Sequence, residues 1–404
     1  MPYLINNLNT INLVSHVKLP DNVLSSDSDL FLRLLFTRII LSYDQWKQRK
    51  TSIINSFGPC PKFDLPNYET YPNNIRDEIS SIIPIYHECY FEIDDRNICI
   101  RVLSQKKPDM QNICKNIFVW LNTLHFYAPR TCSQTLTIYL TLLDKNKIVP
   151  DDPNDTIGRE HANSAFTFPC REQSEIHIFR EEEWFKVFIH ETFHAFGMDF
   201  SGKDNSHIEE LAINSFNISP TITELRIYEA YCEAFAELIQ IMFISYHSVD
   251  ICENLDKWIS NLLKKTMFLL HYEQMFSMFQ IGKILFRYRM PYTLLITPSD
   301  TNSGYRENTH VISYYAIKSS ILFNIDQFLL WVATNNRFSI CFANHNHNIE
   351  NLMLDFYQKT RKMTSNAEYI KNMKTIEQWI NENHSNPTYQ ALFKTMRMSI
   401  FEFA

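Results

Sequence analysis

The chain contains an HExxH motif, formed by His190, Glu191 and His194 just ahead of Gly197. One helical turn separates the two histidines, so on a helix both imidazoles leave the same face and can bind one metal ion. Glu191 lies next to His190, where its carboxylate can reach a water in the metal's open position. The motif therefore predicts a catalytic metal site in which Glu191 acts as the general base.

The segments around the motif alternate between strand-like and helix-like patterns. In chain order these patterns predict a helix over 28–48, a β-hairpin over 85–103, a helix over 111–126, strands over 136–143, 164–168 and 175–179, the motif helix over 181–196, and a helix from the capping box Thr221-Ile-Thr-Glu224 to about Tyr246. Residues 250–404 are mostly helical in pattern, with one β-like interruption over 292–297.

These elements indicate an α+β protein with three regions. An N-terminal helix and β-hairpin region over 1–110 is expected to pack on a catalytic core over 111–248. A mainly helical domain over 249–404 is expected to form the other wall of the cleft.

The order of strands and helices resembles the catalytic core of the zincin metallopeptidases, a small mixed twisted sheet packed on a backing helix and an active-site helix. The resemblance implies that the strand-like segment around Ser164–Phe168, ahead of the motif helix, lies at the edge of the cleft and pairs with an extended substrate. The metzincin branch does not fit, because it places a histidine three residues after the glycine, where this chain has Phe200.

The helix after the motif resembles the gluzincin pattern, in the segment Tyr228-Glu-Ala-Tyr-Cys-Glu-Ala-Phe-Ala-Glu-Leu-Ile239. Catalytic zinc sites usually have three protein ligands and a water, and gluzincins supply the third ligand as a glutamate on this helix. The resemblance implies that Glu233 is the third ligand and that Glu237 accepts the second ring N–H of a histidine. The sequence around the motif is also similar to uncharacterised HExxH proteins of large cytoplasmic DNA viruses, which implies a zinc metallopeptidase of unspecified substrate.

Alternatives to Glu233 stay open at this point. On a helical wheel Glu229 falls near the middle of an apolar stripe, where a carboxylate is costly unless it is paired or metal-bound. His207, Asp199 and the absence of a third protein ligand are weaker alternatives, and Asp199 fits a solvated loop acid better than a ligand.

Histidines and tyrosines outside the motif are candidates for stabilising the oxyanion or for packing. Metallopeptidases of this kind usually bring a Tyr, His or Arg from the far side of the cleft to stabilise the oxyanion, and the distal half offers His310, Tyr314 and Tyr315. The other histidines considered are predicted to be surface or packing residues: His161, His177, His271, His345 and His347.

Composition argues against several other classes of protein. The formal net charge is −7 without a basic block, which disfavours a nucleic-acid partner. The chain has nine cysteines, an odd number, and none of them form a CxxC pair. This argues against a disulfide framework and fits reduced thiols in a cytosol. No signal peptide and no apolar run of membrane-spanning length is evident. We expect a cytoplasmic protein that is not secreted, in a host cytoplasm or a virion if the chain is viral.

The sequence as a whole favours a zinc metallopeptidase acting on a peptide or protein substrate. Zn²⁺ bound by His190, His194 and Glu233 would polarise the scissile carbonyl, and Glu191 would move the proton of the attacking water to the leaving amine. The alternatives are a catalytically silent zincin-fold structural or interaction protein, such as a virion component, and a metal-dependent amidase acting on non-peptide amides.

Overall fold

The structure is a computed structural model that describes residues 19, 23–49, 58–59, 65–81, 85–152, 154–298, 305–342 and 348–403. It is an α+β protein, as the sequence predicts, with a mixed sheet in the N-terminal part and a mainly helical C-terminal half. His345 and His347 lie outside the described residues.

The main sheet has five strands of three or more residues, and a two-residue strand extends one edge. Its strands are β1 Gly58–Pro59, β2 Ile85–Ile93, β3 Arg96–Ser104, β4 Thr135–Leu142, β6 Ala165–Thr167 and β7 Gln173–Ile178. Their order is β1-β2-β3-β4-β7-β6, with β3–β4 and β4–β7 parallel and the other neighbours antiparallel. A separate two-stranded parallel ladder pairs β5 Ile157–Gly158 with β8 Glu307–Asn308. In this order β6 is an edge strand beside β7.

Helices occupy both the segments between the strands and nearly all of the C-terminal half. In chain order they are α1 Ser26–Gln48, α2 Asn73–Ser81, α3 Met110–His125, α4 Arg159–Ala162, α5 Trp184–Ala195, α6 Ser206–Ile213, α7 Ile227–Ser248, α8 Leu255–Arg287, α9 Tyr292–Leu295, α10 Lys318–Phe323, α11 Ile325–Asn335, α12 Ile349–Thr364, α13 Ala367–Asn383 and α14 Gln390–Lys394. Short 3₁₀ turns occur at Tyr68–Thr70 and Pro387–Tyr389, and a π-helical segment covers Ile312–Ile317. Of the described helices, none combines the length and apolar composition that a membrane span requires.

The predicted hairpin is confirmed and belongs to the main sheet. Ile93 pairs with Arg96 across a two-residue turn, and Asp94 adopts the left-handed φ of 47° that such turns favour. Ile98 and Ile100 of β3 alternate inward and are buried in the core shared with α3. The predicted division into three regions stays a prediction, although one hydrophobic cluster runs from α1 to the end of the chain.

The motif helix α5 lies on the sheet beside the backing helix α3. It packs against β6 and β7, and the indole N–H of Trp120 on α3 donates to Thr192 Oγ1 at 2.8 Å. The Trp120 ring also stacks on Phe193, with centroids 6.3 Å apart. A smaller apolar cluster that includes Tyr71, Tyr139 and Phe166 is separate from the main hydrophobic core, which contains α3 and α5.

A disulfide joins Cys132 to Cys170, which corrects the expectation of reduced thiols. Each cysteine precedes the first residue of a strand by three positions, and those first residues, Thr135 and Gln173, are register partners of the parallel strands β4 and β7. Parallel pairing therefore brings the two cysteines together, although 38 residues separate them in the chain. Sequence spacing does not reveal this pairing, because it depends on which strands are neighbours.

Three local predictions need correction. The helix after the motif begins at Ile227 and not at the capping box, because residues 221–226 are irregular and form part of a cleft wall. Residues 197–220, for which the sequence predicts no helix or strand, contain the helix α6. The β-like segment over 292–297 is the short helix α9, which begins directly after Pro291, a residue suited to a helix start.

Candidate metal centre

Helix α5 carries the motif and is buried along its whole length. Its C-terminal end is closed by a Schellman motif, in which Met198 N–H donates to Phe193 C=O at 2.8 Å and Gly197 N–H donates to His194 C=O at 3.0 Å. Gly197 has a φ of +63°, and a Cβ there would lie 3.1 Å from Cys132 Sγ. Glycine is therefore required twice over, by the left-handed turn and by the close approach of the disulfide.

The disulfide and the sheet hold the same end of α5. Cys170 N–H donates to His194 C=O at 3.1 Å, and Ser133 Oγ donates to Ala195 C=O at 2.8 Å. The backbone of His194 is thus fixed by the chain segments that enter β4 and β7. This anchoring gives the His194 side chain a defined position.

Three side chains converge across the interface between α5 and α7. The Nε2 atoms of His190 and His194 are 3.2 Å apart, and Oε2 of Glu229 lies 3.1 Å from the first and 3.4 Å from the second. All three side chains are buried. The structure thus brings together a His/His/Glu group that can hold a metal ion.

The spacing of the three atoms fits a small divalent ion. Four ligands arranged tetrahedrally at about 2.0–2.2 Å from an ion lie roughly 3.3–3.6 Å from one another. The observed separations of 3.1–3.4 Å are close to that range. Two imidazoles and one carboxylate leave one of four positions for a water or a substrate atom.

The charges of the two histidines and of Glu229 follow from the same proximity. Burial alone would lower the pKa of His190, but its contacts with Glu229 and Glu233 raise it to about 9. Burial would raise the pKa of Glu229, but His194 and His190 hold it well below its usual range. The group is therefore a buried carboxylate flanked by imidazoles, whose protons a metal must displace.

Glu233, the predicted third ligand, lies on the opposite side of the His190 ring. Its Oε2 is 2.9 Å from Nδ1 of His190, and its Oε1 accepts a hydrogen bond from the buried ammonium of Lys186. Because Glu233 contacts Nδ1 and not Nε2, the structure does not place it in the group that can hold a metal. Glu233 as the third ligand therefore stays a prediction, and the structure instead groups Glu229, one helical turn earlier on α7, with the two histidines.

The pairing explains why Glu233 and Glu229 take different positions. Lys186 and His190 are one turn apart on α5, and Glu233 and Glu229 are one turn apart on α7 in the reverse order. The helices therefore run antiparallel, and each acidic residue meets the residue opposite it. The alternative from the helical wheel, that Glu229 in the middle of the apolar stripe is the third ligand, agrees with this arrangement.

Glu237, predicted to orient a histidine, lies elsewhere in the core. It pairs with the buried ammonium of Lys318, which also donates to Ser277 Oγ and to the Met398 carbonyl, both at 3.0 Å. The contact with His190 Nδ1 belongs to Glu233 instead.

Asp199 contacts the second histidine and was underestimated by sequence reasoning. Its Oδ2 is hydrogen-bonded to Nδ1 of His194, and its Oδ1 accepts from Ser201 Oγ at 2.7 Å. Asp199 is buried and not a solvated loop acid. The sequence feature that could have revealed this contact is Gly197. A turn at Gly197 folds the chain back, so that a residue five positions after His194 can reach its ring.

A second grouping of potential ligands, His194, Asp199 and Cys232, shares His194 with the first. Burial and the neighbouring Asp199 raise the pKa of the Cys232 thiol well above its usual value. A protonated thiol is a poor metal ligand, and Asp199 is already bonded to the His194 ring. This arrangement therefore fits support of His194 better than a separate metal site.

The His/His/Glu group lines a cleft of about 610 Å³. Glu191 lines it as well, and burial raises the pKa of this carboxyl above its usual value. Opposite walls come from the edge strand β6, from residues 221–226, and from the segment that contains His310 and Tyr314. The ring centroid of Tyr314 lies 6.0 Å from that of His190.

Of the three distal candidates, two reach the cleft and one does not. His310 and Tyr314 line it, whereas the hydroxyl of Tyr315 donates to the Met396 carbonyl at 2.5 Å in the core. Both tyrosines belong to the π-helical segment, a conformation often found at functional sites.

His177, predicted to be a packing residue, stacks between Tyr139 and Phe166.

Comparison with models of known protein families, with curated proteins and with solved structures finds no match to this chain. The site is therefore supported by its own geometry.

Metal affinity should separate the two glutamates. Glu229→Gln should nearly empty the site, because it removes a candidate ligand, whereas loss of a residue that supports a ligand typically weakens affinity about 10–100-fold. The measurement is a competition titration of each variant with a chelator and Zn²⁺.

Glu233→Gln alone would leave the Lys186 ammonium buried without its partner, which can cost about 3–5 kcal/mol of stability. The informative comparison is therefore Glu229→Gln against the double variant Lys186→Met/Glu233→Gln. If the double variant loses the metal and Glu229→Gln keeps it, the assignment of the two glutamates is reversed.

Proposed function

We propose that this protein is a zinc-dependent metallopeptidase whose metal is bound by His190, His194 and Glu229. The observation that supports this most directly is the convergence of three ligand atoms, 3.1–3.4 Å apart, beside a cleft that also contains the motif glutamate. Two imidazoles and one carboxylate with an open position are a donor set of catalytic zinc sites. When bound, zinc would polarise a substrate carbonyl and lower the pKa of a water in the open position.

The residues around the ligands would hold them in the required state. Glu233, whose Oε2 lies 2.9 Å from Nδ1 of His190, would favour the proton on that nitrogen, and Asp199 would accept the Nδ1 proton of His194. Each contact keeps Nε2 unprotonated and directed at the metal position, and it raises the basicity of the ring. The Lys186 ammonium keeps the pKa of Glu233 below its usual range, so that this carboxyl stays an acceptor.

Glu191 would act as the general base. It would take the proton of the attacking water and pass it to the nitrogen of the leaving amine. Burial raises the pKa of Glu191, which brings the carboxyl closer to the range where one group can both accept and return a proton.

Tyr314 and His310 would stabilise the negative charge that develops on the carbonyl oxygen. Burial raises the pKa of Tyr314 well above its usual value and lowers that of His310. Both side chains are therefore neutral near pH 7 and can donate a hydrogen bond. Donors fixed in a buried site act without reorganisation when the charge appears.

The substrate class follows from the edge strand. Ala165, Phe166 and Thr167 form β6 at the end of the sheet, and all three line the cleft together with Phe168. An edge strand offers backbone groups that an extended peptide can pair with. This supports a peptide or protein substrate over a small non-peptide amide.

Glu191→Gln should abolish peptide hydrolysis while leaving the metal in place, because the residue moves a proton and does not bind the ion. General acid–base groups typically contribute about 10²–10⁴-fold to the rate. The measurement is kcat/KM on a peptide selected from a library by wild-type cleavage, beside the zinc content of the same preparations.

The exposed Glu210 provides the control, since Glu210→Gln makes the same chemical change outside the cleft. If Glu191→Gln keeps full activity, Glu191 is not the base. If the zinc-loaded wild type cleaves no peptide in the library, the peptidase proposal fails and a metal-binding protein without turnover becomes the better account.

Tyr314→Phe and Tyr315→Phe form a matched pair on one helical turn. Loss of an oxyanion donor typically costs about 10²–10³-fold in kcat, so Tyr314→Phe should lower kcat and leave the melting temperature nearly unchanged. Tyr315→Phe removes the hydrogen bond to the Met396 carbonyl and should lower the melting temperature but not kcat. Equal kcat losses in both variants would mean that Tyr314 supports the fold and not the reaction.

A further inference from the structure

A second cavity of about 760 Å³ lies in the helical half of the protein. It is bordered by the C-terminal part of α8, by Met290 and Pro291 just before α9, and by one side of α13, and none of the described residues lines both this cavity and the metal cleft. Its volume falls within the range of about 300–1,000 Å³ typical of small-molecule sites. Apolar side chains form much of its wall: Val149, Ile157, Ile284, Phe286, Met290, Ile380 and Phe393.

The charged residues at this cavity are mostly cationic. Lys283, Arg287 and Arg289 line it, and Glu377 is the only acidic residue among the described residues that line it. Oε1 of Glu377 accepts a hydrogen bond from the Tyr292 amide. The cavity therefore combines apolar walls with an excess of positive charge.

Lys283 differs from the other fully buried lysines of the described chain. Lys147, Lys186 and Lys318 each form an ion pair with a glutamate. Lys283 is 4% exposed, and its ammonium donates to the carbonyls of Thr395 and Leu392. Within the described residues, no carboxylate lies at ion-pair distance from Lys283.

Burying an ammonium without a counter-ion is costly. Accordingly, burial lowers the pKa of Lys283 to about 7. Its Nζ also lies 5.7 Å from the centroid of the Phe279 ring, a weak cation–π contact. A ligand carboxylate would supply the charge that the protein does not.

Arg287 adds a second positive charge to the same side of the cavity. Its guanidinium donates to the carbonyls of Pro150 and Asp155, at 2.9 and 3.1 Å, and these are not charged partners. Its buried Nε has no hydrogen-bond partner among the described residues. Arg289 is exposed at the cavity, where it can meet a ligand that enters from solvent.

We propose that this cavity binds a small amphipathic carboxylate, with the apolar chain against the cavity wall and the carboxylate at the Lys283 ammonium. Charge complementarity and apolar lining both favour this chemistry. A neutral apolar molecule would leave the cation unpaired, and an inorganic anion would leave the apolar wall exposed.

The test is isothermal titration calorimetry of the full-length protein with decanoate, decanol and acetate. Decanoate should bind more tightly than either of the others, because it alone supplies both the charge and the chain. Lys283→Met should weaken decanoate binding about 10- to 100-fold, because it removes a hydrogen bond between charged groups. Equal affinities for decanoate and decanol would overturn the proposal.

Two further variants make the result unambiguous. Lys264→Met makes the same substitution at an exposed position of the same helix and should leave decanoate binding unchanged. A carboxylate can also bind a zinc ion, so the titration is repeated with His190→Ala/His194→Ala, which should keep its decanoate affinity. Loss of binding in this double variant would place the ligand at the metal and overturn the proposal.

The melting temperature of Lys283→Met, measured without ligand, checks the physical premise. Removing an uncompensated buried charge should leave the melting temperature unchanged or raise it. A lower melting temperature together with unchanged decanoate affinity would mean that Lys283 only holds the carbonyls of Leu392 and Thr395, and the proposal would then be wrong.

Discussion

The pairing of buried charges between α5 and α7 is the constraint on which the site depends. Lys186 and His190 on α5 face Glu233 and Glu229 on α7, and all four side chains are buried. A buried charge is costly unless it is paired or bound to a metal. Each of these groups therefore fixes its neighbour, and the antiparallel register of the two helices decides which glutamate meets the histidine Nε2 atoms.

The two ends of α5 are held by different parts of the chain. At the N-terminal end, the Glu183 carboxylate accepts from the amides of Met398 and Ser399, so the C-terminal segment is part of the support of the motif helix. At the other end, the Cys132–Cys170 disulfide lies against Gly197. Residues far apart in sequence thus fix the helix that carries the motif and, with it, the positions of both histidines.

Sequence reasoning succeeded where the relevant information is local. The HExxH spacing placed both histidines on one helical face, and alternating apolar residues predicted the hairpin and the strands of the sheet. It failed where partner choice depends on packing. Nothing near Glu233 in the sequence indicates that Lys186 opposes it, because the two residues are 47 positions apart and meet only through the register of two helices. The disulfide and the role of Asp199 were missed for the same reason: they depend on strand neighbours and on the direction of a turn.

Zinc-edge X-ray absorption spectroscopy of the protein loaded with one equivalent of Zn²⁺ tests the central claim most directly. Zinc should bind stoichiometrically, with a shell of nitrogen and oxygen ligands at about 2.0–2.2 Å that shows the multiple scattering of two imidazoles and no sulfur. A sulfur ligand at about 2.3 Å would place the ion at Cys232 instead. Failure to retain stoichiometric zinc would contradict the assignment of a metal centre to His190, His194 and Glu229.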